Sequence, residues 1–176
     1  MGNAATNAVA TIAPMITGEV APGWPGLGFS PVGFAVAALV LAPNLLLVFV
    51  GPRGRAPKPR VPPVIQALEG IGQVACVVVP TATVSTAMNP AVLAAAGAVL
   101  VVYYAGWVRF LASGRRWASL YEPWGSVPVP MAITPVLVFL LAGIGLANPW
   151  VVAASLVLAA GHIPASLRAA RVLADG

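Results

Sequence analysis

One carboxylate and one histidine lie inside apolar stretches of this 176-residue chain, where polar chemistry is otherwise sparse. These residues are Glu69 and His162. Ionisable groups are costly to place in hydrocarbon, so they usually face a protein interior or a water-filled cavity. A carboxylate and an imidazole at one depth can exchange a proton or hold a polar ligand. We therefore treat Glu69 and His162 as candidate catalytic acid–base groups and as candidate ligand-binding groups.

Two glutamines share the helix face of Glu69. Gln66 precedes it by three residues and Gln73 follows it by four, which are the spacings of neighbours on one side of an α-helix. A stripe of two amides and a carboxylate is unfavourable against lipid. We expect this stripe to point into a bundle of helices.

Other polar residues fall at a similar depth in the remaining apolar stretches, among them Thr134. We expect Glu69 and Arg109 to form an ion pair, because neither charge is stable alone in a low dielectric. An alternative is that these residues only hold the helices together, with no ligand between them. The predicted ligand-binding residues are Asn44, Gln66, Glu69, Gln73, Tyr104, Arg109 and His162.

An aromatic segment lies between the third and fourth apolar stretches. Trp117, Leu120, Tyr121 and Trp124 follow the spacing of one helix face, which indicates a short helix lying in the membrane interface. Trp and Tyr also favour the headgroup zone as simple anchors. The functional interpretation makes Trp117, Tyr121 and Trp124 a gate over a pocket.

The composition requires a membrane. Hydrophobic residues make up 60% of the chain and charged residues only 7%, against about 25% charged in soluble domains. Five apolar segments each have the length of a transmembrane helix, at 31–50, 64–86, 90–112, 128–147 and 149–167. The sequence thus predicts an all-α integral membrane protein, a single bundle of five transmembrane helices over 29–176 after an irregular extracytoplasmic tail over 1–28.

The positive charges are confined to alternate connections. All of them lie at the end of the first, third or fifth apolar segment or just after it, namely Arg53, Arg55, Lys58, Arg60, Arg109, Arg115, Arg116, Arg168 and Arg171. Cytoplasmic loops attract Lys and Arg, so we expect the N-terminus outside and the C-terminus in the cytoplasm. The Arg-, Ala- and Gly-rich composition is typical of a GC-rich genome. We expect a multi-pass protein of the cell membrane, which in a bacterium is the inner membrane.

Several functions are disfavoured by the sequence. It has one histidine, one cysteine and no HExxH, GxSxG or GxxxxGK[ST] pattern, so we expect no metal site and no cofactor. The cations lie in short connections rather than on a folded basic surface, so we expect no nucleic-acid partner. Small residues such as Gly161 and Ala165 suit close helix packing, within this chain, in a homo-oligomer or against a membrane partner protein.

Three functions remain open. The leading hypothesis is a protein that binds or transports a small amphipathic molecule or lipid, through a polar pocket in the cytoplasmic third of the bundle. A second is an intramembrane enzyme that uses Glu69 or His162 as general acid on a lipid or isoprenoid substrate. A third is a structural or accessory subunit of a larger membrane complex. The pattern lacks a specific catalytic signature, which favours the first hypothesis over an enzyme.

Overall fold

The computed structural model describes residues 24–85 and 87–175, and 72% of these residues are helical. Six helices and two short strands occur within these two ranges. In chain order they are β1 (Gly26–Leu27), α1 (Pro31–Phe49), α2 (Pro63–Ala82), β2 (Thr83–Val84), α3 (Pro90–Ala112), α4 (Trp117–Tyr121), α5 (Pro130–Gly145) and α6 (Pro149–Ala174).

Four helices in the described part of the chain, α1, α2, α3 and α6, are long and apolar enough to cross a membrane. The fifth long helix, α5, is equally apolar but has only 16 residues, which span about 24 Å at 1.5 Å per residue. The expected all-α, multi-pass membrane protein is therefore confirmed at the level of four candidate spans. A fifth crossing by α5 stays a prediction, as does the orientation of the bundle.

All five long helices begin with a proline at their first turn, where the missing N–H has no partner to lose. Polar side chains cap three of these starts. Ser30 accepts from the Gly33 N–H, and Asn89 and Asn148 each accept two backbone N–H groups of the helix that follows. Proline and cap together explain why the sequence predicts these helix starts well.

Two helix ends differ from the prediction. Helix α2 stops at Ala82, because Thr83–Val84 pairs antiparallel with Gly26–Leu27 as a two-stranded sheet. The predicted irregular tail therefore ends in a strand, and its residues 1–23 lie outside the described ranges. Helix α6 continues to Ala174, well past the predicted end, because its last turns pack Ala169 against the rest of the bundle.

The helices pack as a bundle whose tightest crossing joins α2 to α6. Gly72 lies against the backbone of Leu158, and Gly161 lies against the backbone of Glu69. A Cβ atom at either glycine would overlap main-chain atoms, so only glycine allows this approach. Helix α6 also packs on α5, α5 packs on α3, and α1 lies across α2, α5 and α3. This crossing fixes Glu69 beside the middle of α6.

Backbone contacts define two different ends of the bundle. At the strand end, the Asn89 N–H donates to the Gly145 carbonyl at 2.7 Å. At the other end, the Arg53 N–H donates to the Arg115 carbonyl at 2.7 Å, which joins the α1–α2 and α3–α4 connections. All nine cations of the chain lie at or near this second end, which we call the cationic end.

Asn148 is expected to stabilise the strand end strongly. Its side chain is 1% exposed, caps α6 and donates to the Thr83 hydroxyl at 2.8 Å. Replacing it with alanine should lower the free energy of unfolding by about 2 kcal/mol, because a cap and a buried hydrogen bond are both lost. Thermal unfolding in detergent measures this. Asn89→Ala is the matched control, an exposed cap that should cost about 1 kcal/mol. Equal losses would contradict the role given to the Thr83 bond.

Candidate ligand cavity

A cavity of about 370 Å³ lies in the half of the bundle nearer the cationic end, and it is open on the side where Leu41, Asn44 and Gln73 are exposed. Every one of the six helices contributes to its wall, and most of the lining is apolar, including Val40, Leu158 and Phe139. The polar side chains of the wall are Asn44, Gln73, Tyr103, Trp107, Tyr121, His162 and Ser166. A mostly apolar cavity with a few convergent polar groups is the usual form of a small-molecule site.

The strongest polar contact beside the cavity joins α2 to α6. His162 Nδ1 lies 2.7 Å from Glu69 Oε1, and each side chain is 26% exposed. The glycine crossing explains this contact, because Gly161 brings the backbone of α6 against Glu69. A neutral imidazole donates from Nδ1 here and keeps Nε2 as an acceptor. His162 lines the cavity, and Glu69 lies behind it as its partner.

The predicted Glu69–Arg109 ion pair is wrong. Arg109 lies in the last turn of α3, and its Nη2 donates to Glu122 Oε2 at 2.6 Å. Its guanidinium also stands 5.9 Å from the ring of Trp124. A long side chain near a helix end can reach out to the interface, and that is where its carboxylate partner lies. Arg109 is not part of the cavity wall.

Asn44 and a tyrosine form a second polar pair across the cavity. Asn44 Nδ2 donates to the Tyr103 hydroxyl at 2.9 Å and to the Val40 carbonyl at 3.0 Å. The predicted Tyr104 is not in the wall, since its hydroxyl donates to the Leu39 carbonyl at 2.8 Å. Tyr103 takes the place that the prediction gave to Tyr104.

The two glutamines of α2 have different surroundings. Both are exposed, but Gln73 lines the open side of the cavity, whereas Gln66 lies outside the wall and donates to the Val61 carbonyl at 3.3 Å. The expectation that the whole stripe points inward is wrong for Gln66, because it lies in the first turn of α2, where a free carbonyl is close. Thr134 is buried but donates to the Pro130 carbonyl of its own helix.

Besides Tyr103, the wall residues that the sequence analysis did not predict as site residues include Cys76, Trp107 and Ser166. Trp107 is 4% exposed and stands edge-to-face with Tyr103 at 6.2 Å between ring centroids. Its indole N–H makes no well-directed hydrogen bond to any described residue. The spacing of Tyr103, Trp107 and Phe110 on one helix face was the signal that could have found it.

The short helix α4 closes the cavity at the cationic end, through Leu120 and Tyr121. Tyr121 also lines a second cavity of about 370 Å³, between α4 and the last turns of α6, so its side chain separates the two spaces. Burial, and to a lesser degree the Glu69 carboxylate, raise the pKa of Tyr121, which keeps it a neutral phenol.

Of the predicted gate residues, only Tyr121 lines the cavity. Trp124 packs against Gly106, and Trp117 begins α4 outside the wall.

Comparison of the chain with known protein families, with curated proteins and with solved structures finds no match. The cavity and its wall are therefore the features of this chain that indicate a function.

Proposed function

We propose that the protein binds or transports a small amphipathic molecule or a lipid in this cavity. The observation that supports the proposal is the composition of the wall. Apolar side chains from all six helices surround a space of about 370 Å³, and a few polar groups converge on it. An amphipathic ligand would bury its chain against the apolar wall and place its head group near His162, Asn44 and Gln73.

We also propose that α5 crosses the membrane as a fifth span, with the N-terminus outside and the C-terminus in the cytoplasm. Helix α5 is apolar along its length and packs between α3 and α6. Its 16 residues match a locally thinned bilayer, at a modest energetic cost. The clustering of all nine cations at one end supports a cytoplasmic location for that end. A multi-pass protein of a bacterial inner membrane fits this arrangement.

Transport, rather than storage, is supported by the position of Tyr121. This one side chain lies in the wall of both cavities. A rotation of Tyr121 would join the inner cavity to the space beside the C-terminal turns of α6. The ion pair between Arg109 and Glu122 holds the segment that follows α4. Because both charges are substantially exposed, this ion pair adds little stability and could open at small cost.

The proposal is tested by native mass spectrometry of gently extracted protein, with Gln73→Leu and Gln66→Leu as a matched pair. Wild type should retain one small molecule or lipid per chain. Gln73→Leu should lower the retained fraction several-fold, because it removes a polar group of the wall, and Gln66→Leu should leave it unchanged. Wild-type protein that carries no ligand, or equal losses in both variants, would count against the cavity as the site.

An intramembrane enzyme is the second candidate, and the 2.7 Å contact between His162 and Glu69 is the observation that favours it. A carboxylate that orients an imidazole is a common arrangement for general acid–base catalysis. In the same experiment, an enzyme would convert the retained molecule, so its mass would change on incubation. An accessory subunit would instead retain no small molecule and co-purify with one partner protein.

A further inference from the structure

We infer that the head group bound in the cavity carries no negative charge, as in an alcohol or an amine. This inference rests on the proposed function, because it specifies what the same cavity binds. It differs from the sequence-based expectation, in which Arg109 could take an anionic head group.

The charges around the cavity disfavour an anion. Among the described residues, the wall contains no lysine, arginine, aspartate or glutamate, and its one histidine is paired with Glu69. That pair has a net charge of zero when His162 is protonated and of minus one when it is neutral. Arg109, the cation nearest in sequence to the wall residue Trp107, is held by Glu122 outside the wall. A phosphate or carboxylate would therefore lie near Glu69 with no cation in the wall to compensate its charge, which is unfavourable.

The free hydrogen-bonding atoms of the wall include both acceptors and donors, which suits a polar head group without negative charge. The Glu69 contact occupies His162 Nδ1, so a neutral His162 offers Nε2 to the cavity as an acceptor. Both hydrogen bonds of Asn44 use its Nδ2, and no described residue donates to its Oδ1, which leaves a second acceptor. The amide of Gln73 and the hydroxyl groups of Tyr103 and Tyr121 supply donors. A hydroxyl head group can serve the acceptors and the donors alike, and an amine can serve both acceptors.

The size of the cavity and the composition of its wall indicate what the apolar part of the ligand is. The lining is apolar apart from the polar side chains already named, and the space of about 370 Å³ lies at the lower end of the range for small-molecule sites. A single aliphatic or isoprenoid chain fits this description better than a two-chain phospholipid. The ligand class is therefore a single-chain lipid alcohol or lipid amine.

The test compares three probes with the same chain, namely dodecanol, dodecylamine and dodecyl phosphate. Each is titrated against the full-length protein in nanodiscs of zwitterionic lipid, and occupancy is read by native mass spectrometry. We expect the alcohol and the amine to bind at least about tenfold more tightly than the phosphate, because only the phosphate introduces an uncompensated charge. Equal or tighter binding of the phosphate would overturn the inference while leaving a binding protein. Absence of saturable binding by all three would overturn the proposed function itself.

Two variants of wall residues, with one control outside the wall, test the cause of the selectivity between head groups. His162→Phe removes the acceptor at similar size, and should weaken dodecanol binding by about tenfold. Gln73→Arg places a cation in the wall, and should raise the affinity for dodecyl phosphate by about tenfold or more. Gln66→Arg adds the same charge outside the wall and should leave the probe order unchanged. If Gln73→Arg and Gln66→Arg behave alike, general surface charge rather than the wall selects the head group, and the inference fails even if His162→Phe does not fold.

Discussion

Replacing Gly161 with leucine is expected to unfold the bundle or to lower its free energy of unfolding by about 3 kcal/mol or more. A Cβ atom at Gly161 would overlap the backbone N and Cα of Glu69 and the carbonyl carbon of Leu68. Main-chain atoms inside a helix cannot rotate away as a side chain can, so α2 and α6 would have to separate. Because that crossing also positions His162 against Glu69, any Gly161→Leu protein that still folds should retain less ligand than wild type. Thermal unfolding in detergent and native mass spectrometry measure the two effects.

Gly70 provides the matched control on the opposite helix. It is adjacent to Glu69, it is exposed, and a Cβ atom there would meet nothing within 4 Å. Gly70→Leu should therefore leave both the unfolding temperature and ligand retention close to wild type, or raise stability slightly through better helix propensity. If Gly70→Leu is as harmful as Gly161→Leu, the close approach of α2 to α6 is not the cause.

The helices could be predicted from the sequence because their signals are local. Apolar length, a proline at the first helical turn and a preceding Ser30, Asn89 or Asn148 determine where α1, α3 and α6 begin. The spacing of Trp117 and Tyr121 also predicts α4, but the helix ends at Tyr121, so the prediction that Trp124 lies on the same helix face is wrong. The end of α2 was missed, since the pairing of Thr83–Val84 with Gly26–Leu27 joins residues far apart in the sequence.

The partners of the polar residues could not be predicted, because they depend on how each helix is rotated about its axis. Equal depth suggested Glu69 with Arg109, but the glycine crossing turns Glu69 toward α6 and His162. Arg109 then pairs with Glu122, which lies in a connection whose path the sequence does not reveal. The same reason explains why Tyr104 was predicted where the structure has its neighbour Tyr103 in the wall, since adjacent side chains of a helix point in directions about 100° apart.

Helices α2 and α6 form the glycine crossing and also contribute to the cavity wall. Larger side chains are excluded at the crossing but can be accommodated in the cavity. Cys76 lies one turn along α2 from Gly72, yet Cys76 lines the cavity whereas Gly72 meets the backbone of Leu158. Added atoms at Gly72 meet the main chain, and added atoms at Cys76 enter empty space. A substitution at Cys76 can therefore block the cavity without disturbing the packing of α2 against α6.

Filling the cavity from Cys76 is expected to abolish ligand retention without unfolding the protein. Cys76→Phe would place a phenyl ring in the space of about 370 Å³, beside Leu158 and Phe139. Burying the ring against apolar side chains stabilises by about 1.5–3 kcal/mol, so the unfolding temperature should hold or rise. Occupancy by any ligand should fall by at least about tenfold, because ring and ligand compete for one volume. Native mass spectrometry and thermal unfolding are measured on the same preparation.

Val74 supplies the control for Cys76→Phe, because it lies two residues away on the same helix with its side chain 64% exposed. Val74→Phe adds the same ring to the outer face of α2 and should leave retention unchanged. Cys76→Leu fills less of the space and should lower retention less than the phenyl ring does, so the loss should grow with added volume. If Cys76→Phe keeps full occupancy with a normal unfolding temperature, the ligand binds elsewhere, and the cavity is a packing defect of the bundle.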